Sequence, residues 1–165
     1  MKIERLKEIV HKELNFSRYD SPVLRKNLNC YAHAINAPLC AECSRIGWVS
    51  GKIGNRKYFS MQDMKNLFLE DMKTLELGVE EITVSSKSEC LAKIKDTYLE
   101  ENQYLIVLFA VFFENTSIGD FHFWRYDLQK GLSEKRRTLY PKLIKNPEAS
   151  WDNNMVLVGL FRITR

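Results

Sequence analysis

Apolar residues first recur at helical spacing. Ile3, Leu6, Ile9, Val10 and Leu14, with Lys and Glu between them, predict an amphipathic helix over residues 3–14. Ser17 to Asn29 has no period and is punctuated by Ser21-Pro22, so it reads as a loop. A short helical piece opens at Cys30 and stops near Asn36, because Pro38 disfavours helical backbone at the residue before it. Ser44 to Phe59 is glycine-rich and aperiodic, again a loop. Ser60 reads as an N-cap with Asp63 three residues on. Met61, Met64, Leu67, Phe68, Met72 and Leu75 form the buried stripe of that helix, and Gly78 is its expected stop. Val79 to Val84 is a short strand. Ser88 to Glu101 is a further amphipathic helix with Leu91, Ile94, Tyr98 and Leu99 inward.

The period changes from Tyr104 onward. Leu105 to Phe113 is almost continuously apolar, as a central strand covered on both faces should be. Glu114 to Ser117 turns the chain. In the strand Gly119 to Tyr126, Phe121, Phe123 and Arg125 share one face and His122, Trp124 and Tyr126 the other. A turn at Gln129-Lys130-Gly131 leads to a strand over Leu132 to Lys135. An irregular segment with Pro141 and Pro147 precedes a last strand, Met155 to Ile163. Helices followed by successive strands predict an α+β fold, with N-terminal helices packed on an antiparallel sheet. No linker or repeat divides the chain, so residues 1–165 are expected to form a single domain.

Composition changes this picture little. The net charge is +4, from 25 Lys and Arg against 21 Asp and Glu, and it is scattered apart from a knot at Lys135-Arg136-Arg137. A nucleic-acid binder carries a denser basic stripe, which argues against that partner. No stretch reaches the roughly 18–20 apolar residues of a membrane span. The charged start, Met1-Lys2-Ile3-Glu4-Arg5, does not suit a secretory signal peptide. A cytoplasmic protein, or one exported without a cleavable signal, is therefore expected, with its four cysteines reduced.

Three residues attract attention as chemistry. Cys30 stands at a predicted helix start, where unpaired N–H groups favour thiolate over thiol. His122 lies on a strand, a rigid place from which an imidazole can serve as its base. Glu134, on the next strand across the Lys130-Gly131 turn, can reach the other ring nitrogen, and Asp127 competes for that role with the wrong parity. Backbone N–H groups near Cys30, with a side-chain donor from Asn29 or Tyr31, would form an oxyanion hole. The bland counterparts are a buried core cysteine, a core histidine and a solvated carboxylate.

Asn29-Cys30-Tyr31-Ala32-His33-Ala34, followed by Gly119-Asp120-Phe121-His122-Phe123-Trp124-Arg125-Tyr126-Asp127, resembles a group of uncharacterised bacterial proteins related to papain-like cysteine peptidases. These carry N-C-Y-x-Y-A, then D-[YF]-H-F-Y-R-x-D, then W-S-H-K. Leu132-Ser133-Glu134-Lys135 stands where W-S-H-K would be, so Glu replaces His and Leu replaces Trp. The twelve-residue step from His122 to Glu134 also resembles cell-wall endopeptidases of the NlpC type. The resemblance implies a papain-like or NlpC-like domain with Cys30 as nucleophile, His122 as base and Glu134 in the orienting position. It implies a cysteine-dependent hydrolase or acyl or amide transferase (peptidase, amidase or deamidase) acting on a peptide, protein or amide without a cofactor.

Two alternatives stay open. Cys30, His33, Cys40 and Cys43 read as C-x2-H-x6-C-x2-C, a set that zinc would take tetrahedrally and that would make the protein a binding module. The two departures from the family pattern also fit a papain-like scaffold that has lost activity and serves as an interaction domain.

Overall fold

The structure is a computed structural model that describes residues 3–13, 16, 22–23, 28–37, 45–53, 58, 60–113, 117–136 and 139–165. The first helices whose bounds fall among the described residues are α1 (Ile3–Val10), α2 (Cys30–Ala34) and α3 (Met61–Thr74). Then follow β1 (Gly78–Ile82), α4 (Lys87–Asp96), β2 (Gln103–Phe113), β3 (Ser117–Asp127), β4 (Gly131–Glu134), β5 (Lys142–Leu143), α5 (Pro147–Ser150) and β6 (Met155–Thr164). The strands pair antiparallel throughout, in the order β1-β6-β2-β3-β4-β5. The fold is α+β, as the hydrophobic pattern predicts.

β2 sits in the middle of the sheet and separates two apolar layers. Tyr104, Ile106, Leu108 and Ala110 face a core built with Leu6 and Val10 of α1, Tyr31 of α2 and Phe68 and Met72 of α3. Leu105, Val107 and Phe109 face a second core with Cys90, Leu91 and Ile94 of α4 and with Trp124 and Trp151. Burial on both faces is why this strand lacks the alternation of a half-exposed one.

The caps explain most of the helix boundaries. Ser60 accepts from the Asp63 N–H at 3.0 Å and Ser86 from the Glu89 N–H at 3.1 Å, each the first half of a capping box. α3 stops before the expected Gly78. Glu76 takes φ 58°, and the Leu77 and Glu76 N–H groups bond back to Met72 and Lys73 carbonyls, both at 3.1 Å. That is a Schellman ending, with glutamate where glycine is usual. Gly78 instead begins β1. Met61 is exposed because it occupies the first helical position. Tyr98 is 81% exposed, not inward, because α4 ends at Asp96 and Thr97 is already extended. β5 and α5 fall in the segment expected to be irregular and are too short to carry a period. The loop expected over 17–29 lies largely outside the described residues. Of the loop expected over 44–59, residues 45–53 are described and form turns and bends without helix or strand.

Candidate active site

α2 is short and held at both ends. Asn29 is extended, and its side chain accepts from the Ala32 N–H at 3.1 Å, making Cys30 the first helical residue. At the other end Asn36 takes φ 57°, and the Ala37 N–H reaches the Ala32 carbonyl at 2.7 Å. The helix is pinned sideways as well. Tyr31 stacks on Phe123, ring centroids 5.1 Å apart, and its hydroxyl donates to Asp71 Oδ2 at 2.6 Å. Arg125 donates from Nη1 to the Ala34 carbonyl at 2.9 Å.

β3 and β4 supply the other half. Trp124 pairs with Glu134 and Arg125 with Ser133, so alternation puts His122, Trp124 and Glu134 on the α4 side of the sheet. His122 Nε2 lies 2.9 Å from Glu134 Oε2, and the ring stacks against Phe109. The same carboxylate oxygen accepts from Trp124 Nε1 at 3.3 Å and from Arg136 Nε at 2.9 Å. Lys142 Nζ is 3.4 Å from Oε1. Burial disfavours the charge on Glu134, but the bonds from His122 and Arg136 outweigh it and hold the carboxyl down at about 2. With Glu134 ionised, His122 donates from Nε2, which leaves Nδ1 as the basic nitrogen.

Cys30 approaches the same strand from the α2 side. Its thiol lies 3.8 Å from the carbonyl oxygen of Phe121, the residue before His122. Cys30 and His122 share no hydrogen bond in this arrangement. The expectation of a depressed thiol pKa is corrected. Burial pushes the Cys30 thiol up to about 12 and the Asp120 carboxylate adds to the rise, while the N–H groups of Phe123, Tyr31 and Cys30 oppose it without prevailing. The helix start does aim donors at the sulfur; removal of water costs more than those donors return. At rest Cys30 is a neutral thiol.

The remaining candidates have other partners. Tyr31 cannot serve as an oxyanion donor, since its hydroxyl is buried against Asp71. Asp127 forms a two-point pair with Arg125, both contacts 2.8 Å, and does not reach His122. Asn29 spends its side-chain oxygen on the cap. His33 is buried, and burial pushes its imidazole down to about 3 with Arg125 contributing. Its Nε2 lies 3.1 Å from Ser133 Oγ. Because that hydroxyl donates to the Arg125 carbonyl at 3.2 Å, His33 donates to it. Cys30 and His33 thus send their polar atoms to different points of the sheet, and Cys40 and Cys43 lie outside the described residues. Among the described residues, no group of three or more His, Cys, Asp or Glu side chains could hold a metal ion. Of the basic knot, Lys135 is buried and Arg136 is turned onto Glu134, while Arg137 lies outside the described residues.

Asp71 and Arg136 shape this site from outside the quoted motifs, whereas Trp124 and Arg125 stand within the Gly119–Asp127 segment without a role of their own in the sequence reading. Parity on β3 could have signalled Arg125, which shares the buried face with Phe121 and Phe123. Asp71 sits in the apolar stripe region of α3, where it accepts from the Gly47 and Ser50 N–H groups at 2.6 and 2.7 Å as well as from Tyr31.

No helix among the described residues is long and apolar enough to cross a membrane. No family model, no curated protein and no solved structure matches the chain.

Proposed function

We propose that the protein is a papain-like, cysteine-dependent hydrolase or acyl transferase, with Cys30 as nucleophile, His122 as general base and Glu134 as the group that orients the imidazole. The observation that carries this reading is the 2.9 Å bond from His122 Nε2 to a fully buried, ionised Glu134, on a strand whose backbone the Cys30 thiol touches. A buried carboxylate fixes the tautomer and ring angle of a histidine and stabilises the imidazolium that a reaction would form.

The chemistry starts from a neutral pair. β4 pairs with β3 only from Trp124 to Asp127, so the step runs around the β3 edge beside His122. When an amide or ester carbonyl enters, the thiol swings off the Phe121 carbonyl past that edge, gives its proton to His122 Nδ1 and attacks the carbonyl carbon. Backbone N–H groups at the start of α2 stabilise the tetrahedral oxyanion. His122 returns the proton to the departing amine or alcohol, leaving a thioester on Cys30. Water or a second nucleophile, deprotonated by His122, then releases the acyl group and restores the thiol.

A second reading, an inactive papain-like scaffold used for interaction, is favoured by one observation: Cys30 is a buried residue, 7% exposed, and its thiol shares no hydrogen bond with His122. Acyl transfer from p-nitrophenyl acetate separates the two. Intact-mass analysis with peptide mapping should find an acetyl group on Cys30, lost in Cys30→Ala and formed at least about a hundredfold more slowly in His122→Ala. Acetylation confined to lysines, or indifferent to His122, would support the scaffold.

A further inference from the structure

Glu134 Oε2 is shared. His122 Nε2 and Arg136 Nε both lie 2.9 Å from it, while Lys142 Nζ stands 3.4 Å from Oε1. Arg136 is itself fixed by Asp152 Oδ2 at 3.1 Å and the Ser150 carbonyl at 3.0 Å, which tie it to the segment around α5. A carboxylate with one cation already on the oxygen that faces an imidazole attracts a second positive charge less strongly.

We propose that Arg136 is a positioning residue of this site: by sharing Glu134 Oε2 with His122 it fixes the carboxylate and sets the pH at which His122 takes up a proton. The inference rests on the reading of His122 as the base. A base must be unprotonated at the working pH, and a buried carboxylate alone would drive the imidazole toward its charged form. Arg136 offsets that pull. Its planar guanidinium keeps one geometry toward Glu134, Asp152 and the Ser150 carbonyl together, which a lysine could not.

Among the described residues, the other charged or titratable groups near His122 are these. Lys142 acts from β5 on the far oxygen of Glu134, Asp152 acts through Arg136, and Asp120 stands two residues away on β3 itself. From α2 come the Cys30 thiol, neutral at rest, and His33, whose charged form His122 helps to disfavour. β2 presents the Phe109 ring, and the layer beyond it Trp151, neither charged.

The test is the proton NMR titration of the three histidines in wild type, Arg136→Gln and Arg136→Lys. In Arg136→Gln the His122 midpoint should rise by about one pH unit, the scale expected for losing one nearby charge, while His11 stays put. Arg136→Lys, which keeps the charge, should stay within about a third of that rise. A midpoint in Arg136→Gln equal to wild type would overturn the inference. Should Arg136→Gln not fold, Asp152→Asn reads the opposite sign: freeing Arg136 from its second carboxylate should lower the midpoint, and no change or a rise would overturn the inference. The titration needs no reactive cysteine. Failure of acyl transfer with this shift present would therefore sink the catalytic reading alone, and acyl transfer without the shift would sink only the role of Arg136.

Discussion

Arg125 donates from Nη1 to the carbonyl of Ala34 at 2.9 Å, and this bond fastens the last turn of the Cys30 helix to the strand that carries His122. The guanidinium is fully buried, lies 3.7 Å from the centre of the Tyr104 ring and meets Asp127 at two points. It satisfies a helix-terminal carbonyl and places positive charge where the helix dipole is negative. α2 and β3 are therefore set relative to each other by a polar bolt through an apolar layer.

Removing that bolt should be costly. Arg125→Met leaves Asp127 and the Ala34 carbonyl without the guanidinium, and should destabilise the fold by about 3–5 kcal/mol. Arg125→Lys should recover only part, since an ammonium cannot bond Asp127 at two points and Ala34 at once. Urea midpoints at constant slope measure both. A loss below about 1 kcal/mol for Arg125→Met would show that the pair contributes little beyond its own desolvation.

Asp71 is the second tie. Tyr31→Phe removes one of its three donors and should cost about 1–3 kcal/mol, with the backbone N–H groups of Gly47 and Ser50 still in place. Asp71→Ala strands all three donors and should cost clearly more. Equal costs for the two substitutions would mean that the turn around Gly47 does not depend on this carboxylate.

Glu134 predicts a pH dependence. Its carboxyl is held at about 2 in the fold against an ordinary 4.5, so the unfolded chain binds the proton more readily. The stability this provides is fully present above about pH 4.5 and is lost as pH falls toward 2. Thermal melts of wild type and Glu134→Gln should therefore differ most near neutrality, and the gap should close on acidification across that window. A gap that is constant from pH 7 to pH 2 would show that Glu134 is not held ionised by His122 and Arg136.

Much of the fold was readable from period alone. The unbroken apolar run of β2, the alternation of β3 and the Ser60 cap point to their elements because burial and capping act locally along the chain. Glu134 was reachable too, through the parity of two strands joined by a short turn. What stayed hidden depends on contacts distant in sequence. Lys135 and Asp71 look like solvated charges until tertiary structure buries them. The Glu76 ending of α3 uses a conformation that glutamate seldom adopts, so Gly78 drew the boundary instead. The error over the Cys30 thiol has the same root: a helix start is visible in the sequence, whereas the depth at which it is buried is not.

The most direct test is site-resolved alkylation of the native protein with iodoacetamide across pH, on wild type and His122→Ala. Cys90 is the internal reference, a buried thiol that burial likewise pushes up to about 12. With His122 as its base, Cys30 should be modified about a hundredfold faster than Cys90 near pH 7.5, the scale of general-base assistance, and His122→Ala should bring it down to the Cys90 rate. If Cys30 is no faster than Cys90, or is fast regardless of His122, the cysteine–histidine account is contradicted.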